Sequence, residues 1–451
     1  MAGVTPRYFV TVATVAIGAL FQFYNLQVVN ELQPVVQSWI NVTYLTRNGL
    51  GLSENLLSFY WAALTSGANI GACIGSLFTS LIAEGVGRRN GLVLSGIFNL
   101  IGSVLVGLAK PVEIPELLVV GRLILGANIG LNAGLAPIYL TEITPVRLRG
   151  AAGAAHMIAI ASGDMLSLTV GLPEILGSEQ LWPVAFSFPA FGTLALCIIL
   201  PLFSCESPRY LMSVKKRKEA LKAIQSLVGT AENTDFQDLL LSKTEEVKPK
   251  RKKLSDFWRY PHLYLPLTIC LMAMLAQSCA AVFIYSTEIF RQAGLTVRNA
   301  QRATMSIGLT YFVCVLPTPF FVEKLGRRRL ELFQLSGCLL AMLLLTIMVW
   351  LYNVYNVIWA PKVSIGAMAV YMRVYGTGAP VAWLISSELF AQEHRSMAVS
   401  IITFFAFFWA SLVSLAYLPF QKVNCLFPLS YCRVTLYETK NRSVQDVVKV
   451  F

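Results

Sequence analysis

Gly87-Arg88-Arg89 follows an apolar run over 56–83, and 239 residues on (326 against 87) Gly326-Arg327-Arg328 follows another over 303–322. A second pair keeps nearly the same step. Glu142 precedes Arg149 by seven residues and Glu388 precedes Arg395 by seven, an offset of 246 (388 against 142). Glu206-Ser207-Pro208-Arg209 is answered more loosely by Glu438-Thr439-Lys440-Asn441-Arg442. One repeated arginine pair is cheap. Two motifs recurring after corresponding spans predict a duplicated six-helix unit, the layout of carriers built from two rocking bundles.

The rest of the chain fits that unit. Of 451 residues, 56% are hydrophobic and 13% charged, against about 45–50% and about 25% in an ordinary soluble domain. Such a chain cannot wet a large soluble surface, and the same figures exclude a disordered chain or a secreted disulfide scaffold. Apolar runs lie near 8–29, 56–83, 91–109, 116–140, 151–172, 184–204, 263–287, 303–322, 332–352, 364–386, 397–418 and 423–437. A span takes roughly 20 residues. The last run is short for one and contains Pro428 and Arg433. The run from Tyr8 to Val29 is too long for a signal h-region and reads as a first span. The expected fold is an all-α membrane protein, twelve transmembrane helices in two six-helix bundles. Its parts are an N-terminal bundle over 1–204, a cytoplasmic linker with short helices over 205–262, a C-terminal bundle over 263–437 and a cytoplasmic tail over 438–451. Within the linker, Ser213 to Val228 reads as an amphipathic helix.

The net charge of +12 has a location. One alternate set of loops holds Arg88/Arg89, Arg147/Arg149, the 205–262 segment, Lys324/Arg327/Arg328/Arg329, Arg395 and Lys440/Arg442; the other set is sparse. The positive-inside rule makes the first set cytoplasmic, together with both termini. Asn41-Val42-Thr43, a glycosylation sequon, falls on the opposite side, which favours the plasma membrane. The clusters Lys215–Lys218 and Lys248–Lys253 adjoin spans, so anionic lipid is the expected partner rather than nucleic acid. The nine cysteines read as small buried hydrophobes. His156, His262 and His394 lack metal-ligand spacing, and neither metal, cofactor nor enzyme activity is expected.

Where helices meet the cytoplasm, half-desolvated ion pairs count for more than on an open surface. A latch is therefore expected, with Glu142 and Arg149 facing Arg327/Arg328, and Glu388 and Arg395 facing Arg88/Arg89. Breaking it would open the cavity inward. The plainer reading is that these charges anchor helix ends. Gly67-x3-Gly71-x3-Gly75 and Gly126-x3-Gly130-x3-Gly134 read as close helix contacts.

These residues, with Pro137-Ile138-Tyr139-Leu140-Thr141-Glu142, Gly121-Arg122, Glu206-Ser207-Pro208-Arg209 and Glu388-Leu389-Phe390, resemble the sugar-porter branch of the major facilitator superfamily, in particular animal facilitative hexose (glucose) transporters. The resemblance implies uniport of a hexose or related small polar solute by alternating access. It also implies a midplane site where amides take hydroxyls and rings cover the apolar face. Several matching positions are emptied: Met157 follows His156, Met274-Leu275 and Ala280 occupy the seventh span, Tyr311 the eighth, and Phe408 and Leu412 the eleventh. The remaining substrate-binding candidates are Gln22, Asn25, His156, Gln277, Phe283, Tyr285, Trp383 and Trp409. Gln22, Asn25 and Gln277 read equally well as helix glue.

Three intramembrane charges need partners or a wet cavity. Arg122 and Asp164 reach similar depths and are expected to pair; the sharper reading makes Asp164 a proton acceptor. Arg373 has no evident partner and would suit an anionic solute. Two further functions therefore stand beside hexose carriage: transport of a less hydroxylated or anionic solute, and a non-transporting sensor or degenerate paralogue.

Overall fold

The computed structural model describes residues 4–145, 148–228, 256–277, 283–292, 295–355, 357, 359–390 and 394–423. The first bundle comprises α1 (Pro6–Asn48), α2 (Glu54–Gly85), α3 (Arg88–Leu108), α4 (Glu116–Ile143), α5 (Arg149–Val170), α6 (Trp182–Ser187) and α7 (Pro189–Phe203). Short helices α8 (Pro208–Ser213), α9 (Arg217–Val228) and α10 (Asp256–Arg259) follow. The second bundle comprises α11 (Pro261–Gln277), α12 (Ser286–Gln292), α13 (Val297–Val315), α14 (Thr318–Leu325), α15 (Arg327–Tyr355), α16 (Ala360–Glu388) and α17 (Arg395–Val423). The described parts of the expected runs from 8–29 to 397–418 fall largely on these helices; residues 278–282 of the run 263–287, the run 423–437 apart from Val423, and the tail lie outside the described residues.

Local chemistry explains the ends. Ser53 caps α2 by accepting from the Leu56 N–H, and Gly49 closes α1 in the left-handed region at φ 71°, donating to the Leu45 carbonyl. This is the usual division of labour between polar N-caps and glycine C-termini. The sixth and eighth spans are each interrupted where a proline enters, at Pro189 and Pro317, since proline lacks the N–H that would continue the ladder. α1 runs far past the expected end at Val29, to Asn48, so the Asn41 sequon sits on a helix rather than in a loop. The expected 213–228 helix is likewise split: Lys215 turns the chain at φ 61° between α8 and α9.

α2 lies against α4, α3 against α4 and α7, and α1 against α5; in the second bundle α15 and α13 lie against α16. The glycine stripes bring α2 and α4 into backbone contact: a Cβ at Gly130 would sit 2.0 Å from the Ala72 carbonyl oxygen. Outward faces carry exposed Leu81, Phe191, Leu202 and Leu340, as bilayer-facing helices require. Among the described residues, eight helices are long and apolar enough to cross a membrane. α9 folds back under the first bundle, where Ile224, Leu227 and Val228 join Tyr8, Val15 and Ile143 in one apolar cluster. The bundles meet along two seams, α2 with α17 and α5 with α13.

Candidate functional site

The repeated charges come together, but within a bundle. Arg88 Nε lies 3.0 Å from Glu142 Oε2 and Arg88 Nη2 donates to Oε1 at 3.1 Å, with the two side chains only 12% and 5% exposed. Ser207 Oγ donates to the same carboxylate. Glu206 accepts the main-chain N–H groups of Arg88, Arg89 and Ser207 at 2.9, 3.0 and 2.9 Å, a carboxylate seated on the N-terminus of α3, where the helix dipole favours it. Gly87 is required there: its φ is 101°, and a Cβ would meet Glu206 Oε2 at 2.4 Å. Gly326 occupies the matching place before α15 at φ 79°.

Only part of the expected latch falls within the described residues, and there the charges have partners in their own bundle. Glu142 is bound to Arg88 of its own bundle, and Arg89 bonds the Ser204 carbonyl at 3.1 Å and neighbouring Asn90. The chain following the sixth span returns beneath α3 and supplies these charges with local partners, a closure invisible in span-by-span reading. Arg328 is exposed, and Arg395 Nη2 reaches the Phe390 carbonyl at 3.4 Å. The side chains of Arg149, Arg327 and Glu388 lie outside the described residues.

Among the described residues, polar links between the bundles lie at both ends of the seams. At the ends remote from Arg88 and Glu142 (the outer ends) Asn30 Nδ2 donates to the Phe283 carbonyl and to Ser286 Oγ, both at 2.9 Å, and Gln301 Nε2 donates to the Glu31 carbonyl at 2.9 Å. Glu174 accepts from Arg298 Nε at 2.9 Å and lies 3.6 Å from Arg302 Nη2. The Arg298 hydrogen bond holds the Glu174 carboxyl below the usual carboxylate range. On the inner side Ser396 Oγ donates to Glu84 at 2.7 Å, and Ser400 Oγ accepts from the Ser80 N–H at 3.0 Å.

Between these ends lies a mostly apolar centre. Trp383 and Phe407 pack 6.4 Å apart against Cys73, Ile129 and Ala133 of the first bundle. Met274 is buried in the neighbouring cluster with Trp383 and Ala382. Phe283 and Tyr285 are buried, and Tyr285 donates to the Ser414 carbonyl at 2.7 Å. His156 and Gln277 are also buried. Trp409 is half-buried beside exposed Phe408. Gln22 and Asn25 act as glue: Gln22 Nε2 donates to the Ile129 carbonyl at 3.0 Å, and Asn25 Nδ2 to Asn99 Oδ1 at 2.9 Å.

The intramembrane charges also depart from expectation. Arg122 donates to the Asn25 carbonyl oxygen, and no ion pair joins it to Asp164. The two point apart, because α4 presents Arg122 to α1 whereas Asp164 faces α13. The face of Asp164 is fixed by Leu168 one turn further out, whose Cδ1 would lie 2.3 Å from a Cβ at Gly308. Helices α5 and α13 run in opposite directions, so one turn inward from that contact Asp164 meets Tyr311; the two groups interact electrostatically. Behind Tyr311, Tyr375 lies 5.9 Å away, stacked on Tyr371. Arg373 is midway between those tyrosines, about 200° around the helix from each, and is exposed on the opposite face. It does not line the seam.

Glu31 was missed by ending the first span at Val29. Its side chain is fully buried, and neither carboxyl oxygen has a hydrogen-bond partner. The spacing Tyr24, Val28, Glu31 would have placed it on the buried face. The Glu174–Arg298 link joins a loop to the start of a helix distant in sequence and left no local signal.

Comparison with known proteins agrees with this architecture. Residues 11–447 match the family described as "Sugar (and other) transporter". Solute carrier family 2, facilitated glucose transporter member 3 of Ovis aries is 34% identical over 407 residues, spanning 88% of this chain and 80% of that protein. Member 14 of Homo sapiens is 32% identical over 466 residues, spanning 99% and 88%. The E. coli xylose transporter XylE, in a partially occluded inward-open conformation, shares the fold with a TM-score of 0.74 at 20% identity, over 95% of this chain and 97% of its own. The chain belongs to the sugar (and other) transporter family, as a multi-pass membrane carrier of the major facilitator fold and not an enzyme.

Proposed function

We propose that this chain carries a hexose or related small polar solute passively across the plasma membrane by alternating access, with both termini cytoplasmic. The observation that carries the reading is the pair of seams between duplicated bundles, α2–α17 and α5–α13, fastened at their outer ends by Asn30–Ser286 and Glu174–Arg298. Two bundles that rock about such seams expose a midplane site to each side in turn. The relatives named as facilitated glucose transporters support sugar as the solute class.

One observation favours a less hydroxylated solute. Gln22 and Asn25 are engaged inside the first bundle, and Met274 is buried near Trp383, so the centre offers fewer amides than a hexose would use. Arg373, on the outer face of α16, lends no support to an anionic one. Uptake of a radiolabelled panel of hexoses, pentoses, polyols and small anions into proteoliposomes tests these readings. Hexose flux supports carriage of sugar, and flux restricted to poorly hydroxylated solutes favours the second reading. Absence of flux for every solute would leave the chain a sensor or degenerate paralogue.

A further inference from the structure

The α5–α13 seam holds an acid at a place that must open and shut. Asp164 is 7% exposed, and its Oδ1 has no hydrogen-bond partner. Among the described residues, no Lys, Arg or His nitrogen lies within 4.0 Å of its carboxyl. Among the described residues the surrounding elements supply no compensating charge: on α14, which also touches α5, Lys324 lies over the Phe320 ring. α13 presents Tyr311, backed by Tyr375 of α16. On α1, Glu31 packs two turns further out against Gly171. On α4, Arg122 is engaged by the Asn25 carbonyl. On α5 itself, His156 lies about two turns inward and is buried with its Nδ1 unbonded. A carboxylate this deeply buried, with no cation and with only the Tyr311 hydroxyl near it, is strongly disfavoured. Neutralisation by one proton is the smallest change that lets this seam close.

We propose that Asp164, facing Tyr311, is a proton-binding site, and that each closure of the α5–α13 seam takes one proton onto its carboxylate. The inference rests on the alternating-access reading. While the seam is open the carboxylate is wet and ionised. On closing, it accepts a proton from cavity water and is buried as the neutral acid, whose O–H has the Tyr311 oxygen within its neighbourhood as an acceptor. On reopening, the proton returns to the cavity water it came from, so the step gates closure without net proton transport. The site is distinct from the Arg122–Asn25 contact and involves neither residue.

The test is equilibrium exchange of a transported solute in proteoliposomes, with equal pH on both faces, from about pH 5 to about pH 8. In the wild type, exchange should slow about tenfold for each pH unit above the titration of the acid. Asp164→Asn, which mimics the neutral acid, should give a flat profile, and Asp164→Glu should restore a sloped one. An Asp164→Asn slope equal to that of the wild type overturns the proposal. So does a flat wild-type profile with Asp164→Asn selectively losing amine-bearing solutes, which would make the site one for a cationic solute. Should no solute move, the carrier reading fails separately, and melting of the purified proteins still decides. The wild type should lose several degrees of Tm relative to Asp164→Asn as pH rises, whereas parallel curves overturn the proton site.

Discussion

Glu174, in the outer loop after α5, lies 2.7 Å from Arg298 Nη2 at the start of α13, and with Arg302 Nη2 at 3.6 Å this ion pair fastens the outer ends of the two bundles. Both side chains are substantially exposed, at 42% and 65%, and the pair is screened by solvent and salt. Its role is to bias an equilibrium between open and closed outer ends, not to hold the fold. Because Arg298 lowers the titration point of Glu174, the stabilising link is complete above the ordinary carboxylate range. It is lost as external pH falls through the lowered value. Arg298→Ala should shift accessibility of the outer cavity, read by labelling with an impermeant thiol reagent at an introduced cysteine, by a few-fold. Acidification should produce the same shift in the wild type and none in the variant.

The inner cluster predicts a different phenotype. Arg88 and Glu142 are nearly buried and paired within one bundle. Removing either strands the other, a loss of roughly 3–5 kcal/mol for a buried pair. Arg88→Ala and Glu142→Ala should therefore lower Tm and surface expression together. Ser207→Ala, which deletes one hydrogen bond to Glu142, should cost about 1 kcal/mol. Surviving Glu142→Ala protein that is fully stable but merely biased in its gating would contradict this assignment.

Two glycines at matching positions should respond unequally. Gly87→Ala meets both an unfavourable φ and the Glu206 carboxylate, whereas a Cβ at Gly326 finds open space within 4 Å. Gly326→Ala should cost about 1–2 kcal/mol from backbone conformation alone, and Gly87→Ala more. Thermal melting of the two variants in the same detergent checks the order.

Orientation is checked at Asn41. If the end of α1 faces outward, glycosidase treatment should shorten the apparent mass of the protein from cells, and Asn41→Gln should remove the shift. A shift that survives Asn41→Gln would place modification elsewhere.

Much of the architecture is legible in the chain because its causes are local. Apolar runs set the spans, Gly87 and Gly326 mark the repeat, and the small-residue stripes at Gly71 and Gly130 set the α2–α4 contact. Partners brought together by closure are not legible. Spacing placed Glu142 at the cytoplasmic edge, yet its choice of Arg88 depends on Glu206 and Ser207 folding back beneath α3. Depth along a helix suggested an Arg122–Asp164 pair, yet depth does not specify face. Glu31 was hidden for a related reason: α1 continues as a helix well beyond its most apolar stretch.

The most direct test of alternating access is uptake after fastening the outer seam covalently. Cysteines introduced at Glu174→Cys and Arg298→Cys, joined by a short bifunctional maleimide, should abolish hexose uptake that the same variant shows before treatment. The unsubstituted chain, treated identically, should retain it. Undiminished uptake by fully cross-linked protein would contradict the account.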